Sequence, residues 1–110
     1  MLCLAVEFAL DMQLTDTQRR FLRGRAHALK PVIQIGGAGL TDAVVRETER
    51  ALHDHELIKV RFRSPERTAR DASFDELAER TGSALVDRIG HVAVLYRPRE
   101  GGPRLVIPDP

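Results

Sequence analysis

The chain has 110 residues, 43% of them hydrophobic, a formal net charge of +1 and a single cysteine. That size suits one domain around one core, and Cys3 alone excludes an internal disulfide or a cysteine-rich zinc site and favours a reducing compartment, the cytoplasm. The small net charge argues against a uniformly basic nucleic-acid binder. It conceals alternating blocks, however: Arg19, Arg20, Arg23, Arg25 and Lys30 form a basic run, residues 41–56 are acidic in balance, and Lys59, Arg61, Arg63, Arg67 and Arg70 restore positive charge.

Residues 1–11 (MLCLAVEFALD) resemble the apolar part of a signal peptide but lack a basic leading region, contain Glu7 and are too short to span a bilayer. Residues 1–13 are expected to be an extension without function. Thr15-Asp16-Thr17-Gln18 has the spacing of a capping box, so a first helix starts there. Gln18, Leu22, Ala26 and Leu29 share one side of it, Arg20, Arg23, His27 and Lys30 the other, and Pro31 predicts its end near Lys30.

Val32 to Ile35 read as a strand, followed by Gly36-Gly37-Ala38-Gly39 and a second helix capped by Thr41. Val44, Thr48, Ala51, Leu52 and His55 follow the spacing of its buried stripe, and the helix is expected to end near Asp54. In the run 57–63, strict alternation predicts a strand with Ile58, Val60 and Phe62 on one face. Lys59, Arg61 and Arg63 then make the other face open and basic.

Ser64-Pro65 and the polar residues to Ala72 predict a loop. Ser73 to Glu76 is a second capping box, opening a short helix with Phe74, Leu77, Ala78 and Thr81 inward and Gly82 past its end. Residues 84–89 and 92–97 form a hairpin about Gly90-His91. Residues 99–110 are expected to be mostly irregular, with Leu105, Val106 and Ile107 able to dock on a sheet edge. The order α-β-α-β-α-β-β predicts an α/β two-layer sandwich with a mixed four-stranded sheet, the final hairpin supplying its antiparallel pair.

The glycine loop is neither a Walker motif, since no Gly-Lys-Ser/Thr follows, nor a dinucleotide fingerprint, whose later glycines would fall on Ala38 and Thr41. What remains is a G-x-x-G between strand and helix. Two readings stand: a tight turn that needs glycine for steric reasons, or a clamp on a sugar-phosphate backbone assisted by the helix N-terminus. His53 and His55 lie two apart and do not share a helix face, no H-E-x-x-H spacing occurs, and no nucleophile with base and orienting group is visible. No catalytic residue, metal or cofactor is therefore assigned.

The run Leu22-Arg23-Gly24-Arg25-Ala26-His27-Ala28-Leu29-Lys30-Pro31-Val32-Ile33-Gln34-Ile35-Gly36-Gly37-Ala38-Gly39-Leu40-Thr41, the later Ala51-Leu52-x-x-His55-Glu56-Leu57-Ile58-Lys59-Val60 and the ending Ile89-Gly90-His91-Val92-Ala93-Val94-Leu95-Tyr96-Arg97-Pro98 together resemble the CRM domain of the YhbY-like RNA-binding proteins. The resemblance spans about residues 14–98. It implies a fold similar to the C-terminal domain of bacterial translation initiation factor three. It also implies association with ribosomal RNA in precursors of the large ribosomal subunit, the same domain serving organellar intron splicing in plants. The family loop falls on Gly36 to Gly39, and its basic helix and A-H-x-L-K-P segment on Ala26 to Pro31. One departure is that Gly37 and Ala38 stand where the family often has polar or basic residues, so contact there would rest on backbone N–H groups.

The expectation is a non-enzymatic, cytoplasmic, monomeric RNA-binding module for ribosome biogenesis, with no membrane and no small-molecule substrate. Its RNA contacts are Gly36, Gly37, Ala38, Gly39, Arg20, Arg23, His27 and Lys30, with Lys59, Arg61 and Arg63 as a secondary set. The alternatives are an adaptor docking on ribosomal proteins and, further off, a small phosphate-ligand enzyme. With only one tyrosine and no tryptophan, recognition of RNA shape is favoured over a stacking platform. Because Thr15 caps the first helix, a chain beginning at Met12 is expected to melt within about 1 kcal/mol of the full chain, as surface changes do.

Overall fold

A computed structural model describes residues 14–98. The expected extension, the C-terminal residues 99–110 and the docking of Leu105 to Ile107 lie outside the described residues. In chain order the elements are α1 (Asp16–Ala26), β1 (Ile33–Ile35), α2 (Asp42–His55), β2 (Leu57–Phe62), α3 (Arg67–Thr81), β3 (Ala84–Ile89) and β4 (Val92–Tyr96). The sheet order is β1-β2-β4-β3, with β1 and β2 parallel across the α2 crossover and the other pairs antiparallel. The α/β class, element order and mixed four-stranded sheet are those expected.

The first cap forms as read. The Gln18 amide donates to Thr15 Oγ1 at 3.2 Å, and the Thr15 amide donates to Gln18 Oε1 at 3.0 Å. Gln18, Leu22 and Ala26 are buried. The helix ends at Ala26, however, not near Lys30: Pro31 bars Lys30 from helical geometry, and its ring conflicts with a helical carbonyl at His27. The chain leaves through a tighter turn in which the Leu29 amide donates to Ala26 O at 2.9 Å, and Leu29 is turned outward.

In α2, Thr41 Oγ1 accepts from the Val44 amide at 3.2 Å, as expected of the cap. Its fully buried residues are Val45, Thr48 and Leu52, with Val44 and Ala51 half-buried; His55, expected inward, is exposed. It occupies the last turn, where Glu56, at φ 65°, swings the chain into β2.

The largest correction concerns α3. It begins at Arg67, six residues before the Ser73 box, and its N-cap Glu66 makes no side-chain cap hydrogen bond. Tertiary contacts make the polar run helical. Arg70 donates to Ser64 O and, at 3.2 Å, to Gly90 O, while Arg88 reaches Asp71 at 3.5 Å and Asp75 at 3.0 Å. Phe74, Leu77, Ala78 and Thr81 are buried as expected, and Gly82 ends the helix in the left-handed region at φ 64°. Gly90, at φ 58°, does the same service for the hairpin.

Alternation along β2 splits the core between two faces, so the face of Lys59, Arg61 and Arg63, expected to be open, is partly covered, with Lys59 and Arg61 half-buried. Ile58 and Val60, with Ile33, Ile35, Ala93 and Leu95, meet Val45 and Leu52 of α2 and Phe74 and Leu77 of α3. Leu57, with Val86, Val94 and Tyr96, meets Leu22 and Ala26 of α1. The layering is thus fuller than a two-layer sandwich: α1 lies alone on the face opposite α2 and α3. It is held there partly by Arg19, whose guanidinium donates to Leu85 O at 2.9 Å and Val86 O at 3.1 Å, where a bulge interrupts the β3–β4 register. Because α1 covers only part of this face, the row Gln34, Arg61, Val92 and Ile89, aligned across all four strands, is not fully buried.

Burial beneath α1, reinforced by the charge of Glu56, raises the Tyr96 phenol above its ordinary value of 10.0. The folded state therefore favours the neutral ring, and its contribution to stability is complete below pH 10 and lost as pH rises through the folded value. The melting temperature is expected to fall as pH is taken above about 10, and Tyr96→Phe, compared by thermal melting, should lack that component of the loss.

Candidate nucleic-acid interface

The loop Gly36–Gly39 joins the C-terminal end of β1 to α2. The Gly39 amide donates to Gly36 O at 3.0 Å, and Thr41 N–H donates to Gly39 O at 3.1 Å. Gly39 sits at φ 75°, where a side chain is strained. Gly36 and Gly37 are outside that region, both are exposed, and a Cβ on either would meet nothing within 4 Å. Only Gly39 is needed by the turn itself. The other two leave bare backbone facing solvent.

The N-terminus of α2 adjoins this loop with its positive dipole end. Thr41 occupies the Val44 amide, and Asp42 places a carboxylate in the first turn, 83% exposed. Arg80 of α3 stands 3.1 Å from that carboxylate and 3.5 Å from Glu76. Neither Asp42 nor Arg80 was singled out in the sequence. They are 38 positions apart, and only the packing of α3 beside α2 brings them together.

The basic residues divide into two groups. Register pairs Gln34 with Arg61 and Ile35 with Phe62, so Arg61 and Arg63 lie at the end of the sheet from which the loop leaves β1. Lys59 and Arg61 are half-buried and Arg63 is exposed, all on the side of β2 that also carries α1.

Arg20, Arg23, His27 and Lys30 are exposed as well but lie elsewhere. Arg19 reaches β3, and Arg23, one turn on, shares its flank. β3 and β1 are opposite edges of the sheet, three strand spacings or about 14 Å apart. Lys30 precedes β1 whereas the loop follows it, six residues or roughly 20 Å along an extended chain. The structure therefore puts Arg61 and Arg63 at the same end of the sheet as Gly36 to Gly39, though on the face opposite α2, and sets the helix group apart as a second positive surface.

His91 turns to the sheet, its Nδ1 3.3 Å from Phe62 O, while His53 and His55 are exposed at the end of α2. Among the described residues no three His, Cys, Asp or Glu side chains could share a metal ion, and no helix is long and apolar enough to cross a membrane. The arrangement offers hydrogen-bond donors and fixed positive charge, which can hold an anionic backbone.

The glycines differ in what they cost to replace. Gly39→Ala is expected to destabilise by about 1–2 kcal/mol, the penalty of a left-handed residue bearing a Cβ. Gly36→Ala and Gly37→Ala should change stability by less than about 0.5 kcal/mol, as surface substitutions do, with chemical denaturation as the check.

The family model described as the CRS1 / YhbY (CRM) domain matches residues 14–97. A Haemophilus influenzae protein named an RNA-binding protein is 45% identical over 87 residues, covering 79% of this chain and 88% of its own. A Pseudomonas aeruginosa protein named a probable RNA-binding protein is 46% identical over 86 residues, covering 78% and 83%. The solution structure of a Staphylococcus aureus protein, presented as a hypothetical RNA-binding protein, has a TM-score of 0.76 and 32% identity, covering 87% of this chain and all of that one. The match covers all seven elements from the Thr15 cap to β4, loop included, and the chain belongs to the CRS1 / YhbY (CRM) domain family.

Proposed function

We propose that this domain binds RNA without catalysing a reaction, acting in the cytoplasm as a monomer on ribosomal RNA within precursors of the large ribosomal subunit. The observation that carries the reading is the loop: Gly36 and Gly37 present exposed backbone that the fold itself does not require, at the same end of the sheet as Arg61 and Arg63. Backbone N–H groups of the loop and of the first turn of α2 hold phosphate oxygens. Lys59, Arg61 and Arg63 neutralise the neighbouring phosphates, so they move from a secondary set to the principal one. Arg20, Arg23, His27 and Lys30 contact a second run of backbone. Two positive regions on one rigid body select RNA by the spacing of its phosphate ridges, in keeping with recognition by shape. The RNA-binding names of the relatives support the reading.

Salt titration tests it. Lys59, Arg61 and Arg63 changed together to Gln should lower the slope of log affinity against log salt by roughly 2, as should the triple change of Arg20, Arg23 and Lys30, since each phosphate neutralised contributes about 0.7 to 0.9. A triple variant with an unchanged slope removes that surface from the interface. RNA affinity that never depends on salt would favour the adaptor instead.

The loop has its own test in two directions. Gly37→Asp with Ala38→Asp should weaken RNA binding at unchanged melting temperature. Asp42→Asn removes a negative charge from beside the phosphate position and should tighten it, at a cost to stability of about 0.3–1 kcal/mol through the helix dipole. Unchanged affinity in both variants would reduce the loop to a turn.

A further inference from the structure

At the end of the sheet opposite the loop, a cavity of about 800 Å³ opens between the end of α1, the segment leading into β1 and the junction of α2 with β2. Its size is that of a small-molecule cleft. Leu29 and Val32 line it and are 38% and 52% exposed, and the only other exposed large apolar side chain among the described residues is Ile89. Two of the three exposed large apolar side chains among the described residues thus share one concave surface.

Gly24 adds a second observation. It lies inside α1, where alanine is preferred, and a Cβ built on it would meet nothing within 4 Å. The packing of the chain gives no reason for glycine at this position, which lines the cavity and keeps its helical wall flat. Around the same opening stand the exposed Arg25, Lys30 and His55, with the exposed carboxylate of Asp54 and the buried one of Glu56.

An apolar floor bordered by cations and one exposed carboxylate matches the chemistry of a nucleotide. On such a floor the face of a base would rest on Leu29 and Val32, with its N–H directed to Asp54 and its phosphate to Arg25 and Lys30. We propose that this cavity receives one unpaired nucleotide of the bound RNA strand. The proposal rests on the RNA-binding reading above and gives it a point of contact that requires a single strand. Lys30 links the cavity to the proposed interface, and β1 leads from there to Gly36.

The test uses the full chain with two probes, a short oligouridylate and a blunt RNA duplex. Gly24→Leu fills the cavity wall with a good helix former, far from the loop and without altering charge. It should melt no lower than the wild type, lose about tenfold in oligouridylate affinity, the scale of one apolar contact of roughly 50 Å² lost to water, and keep its duplex affinity. In the wild type, oligouridylate should shift the methyl resonances of Leu29 and Val32. Oligouridylate affinity unchanged by Gly24→Leu, or methyl resonances that do not move, overturns the cavity proposal while leaving RNA binding intact. A peptide site would give that result. Uridine monophosphate binding as tightly as the oligonucleotide would overturn it too, making the cavity a small-molecule site. A wild type that binds neither RNA fails at the earlier reading.

Discussion

The parallel pairing of β1 with β2 is the interaction on which the remaining structure depends. β2 is the sheet's internal strand with a parallel partner on one side and an antiparallel one on the other, and its residues Leu57, Ile58 and Val60 are buried against helices on opposite faces. A slip of one residue would exchange those faces and put Lys59 and Arg61 into the core beneath α2 and α3. The same register that fills both cores carries Arg61 and Arg63 to the end of the sheet where the glycine loop emerges. Packing and the candidate interface are thus set by one alignment.

At that loop the electrostatics are balanced rather than simply positive. The N-terminus of α2 favours an anion, and the chain supplies one itself in Asp42, which Arg80 accompanies. An exposed ion pair of this kind contributes little to stability. Its consequence is local: a phosphate at that loop would meet a dipole and a guanidinium but also a carboxylate, so the charge there is tuned by the contact between α2 and α3.

The two basic surfaces share the face of the sheet that carries α1 and are kept apart by where α1 is anchored across it. Arg19 is spent on the bulged edge of β3, where it satisfies two backbone carbonyls. It therefore directs its own flank of the helix, and Arg23 with it, away from β1. A rigid sheet holds the resulting distance, and a rigid distance between positive regions is what allows a protein to read the geometry of a phosphate backbone without reading bases.

Local chemistry was legible in the sequence wherever it completes itself within a few residues. The Thr15 capping box, the Thr41 cap, the alternation along β2 and the left-handed glycines at 82 and 90 each depend on neighbours in the chain, and each formed. The loop, too, was legible as strand, glycines and helix. Tertiary structure decided what depends on distant partners. Residues 67–72 extend the helix ahead of Ser73, with Arg70 donating to Gly90 O and Asp71 paired with Arg88, partners that the Ser73 box taken alone does not reveal. His55 faced outward because the chain turns at Glu56. The division of the basic residues, which placed the β2 group rather than the α1 group at the loop's end of the sheet, follows from strand order and from the anchoring of α1 at the β3 edge. Helical and strand periodicities show which side of an element is buried, but not which other element will bury it.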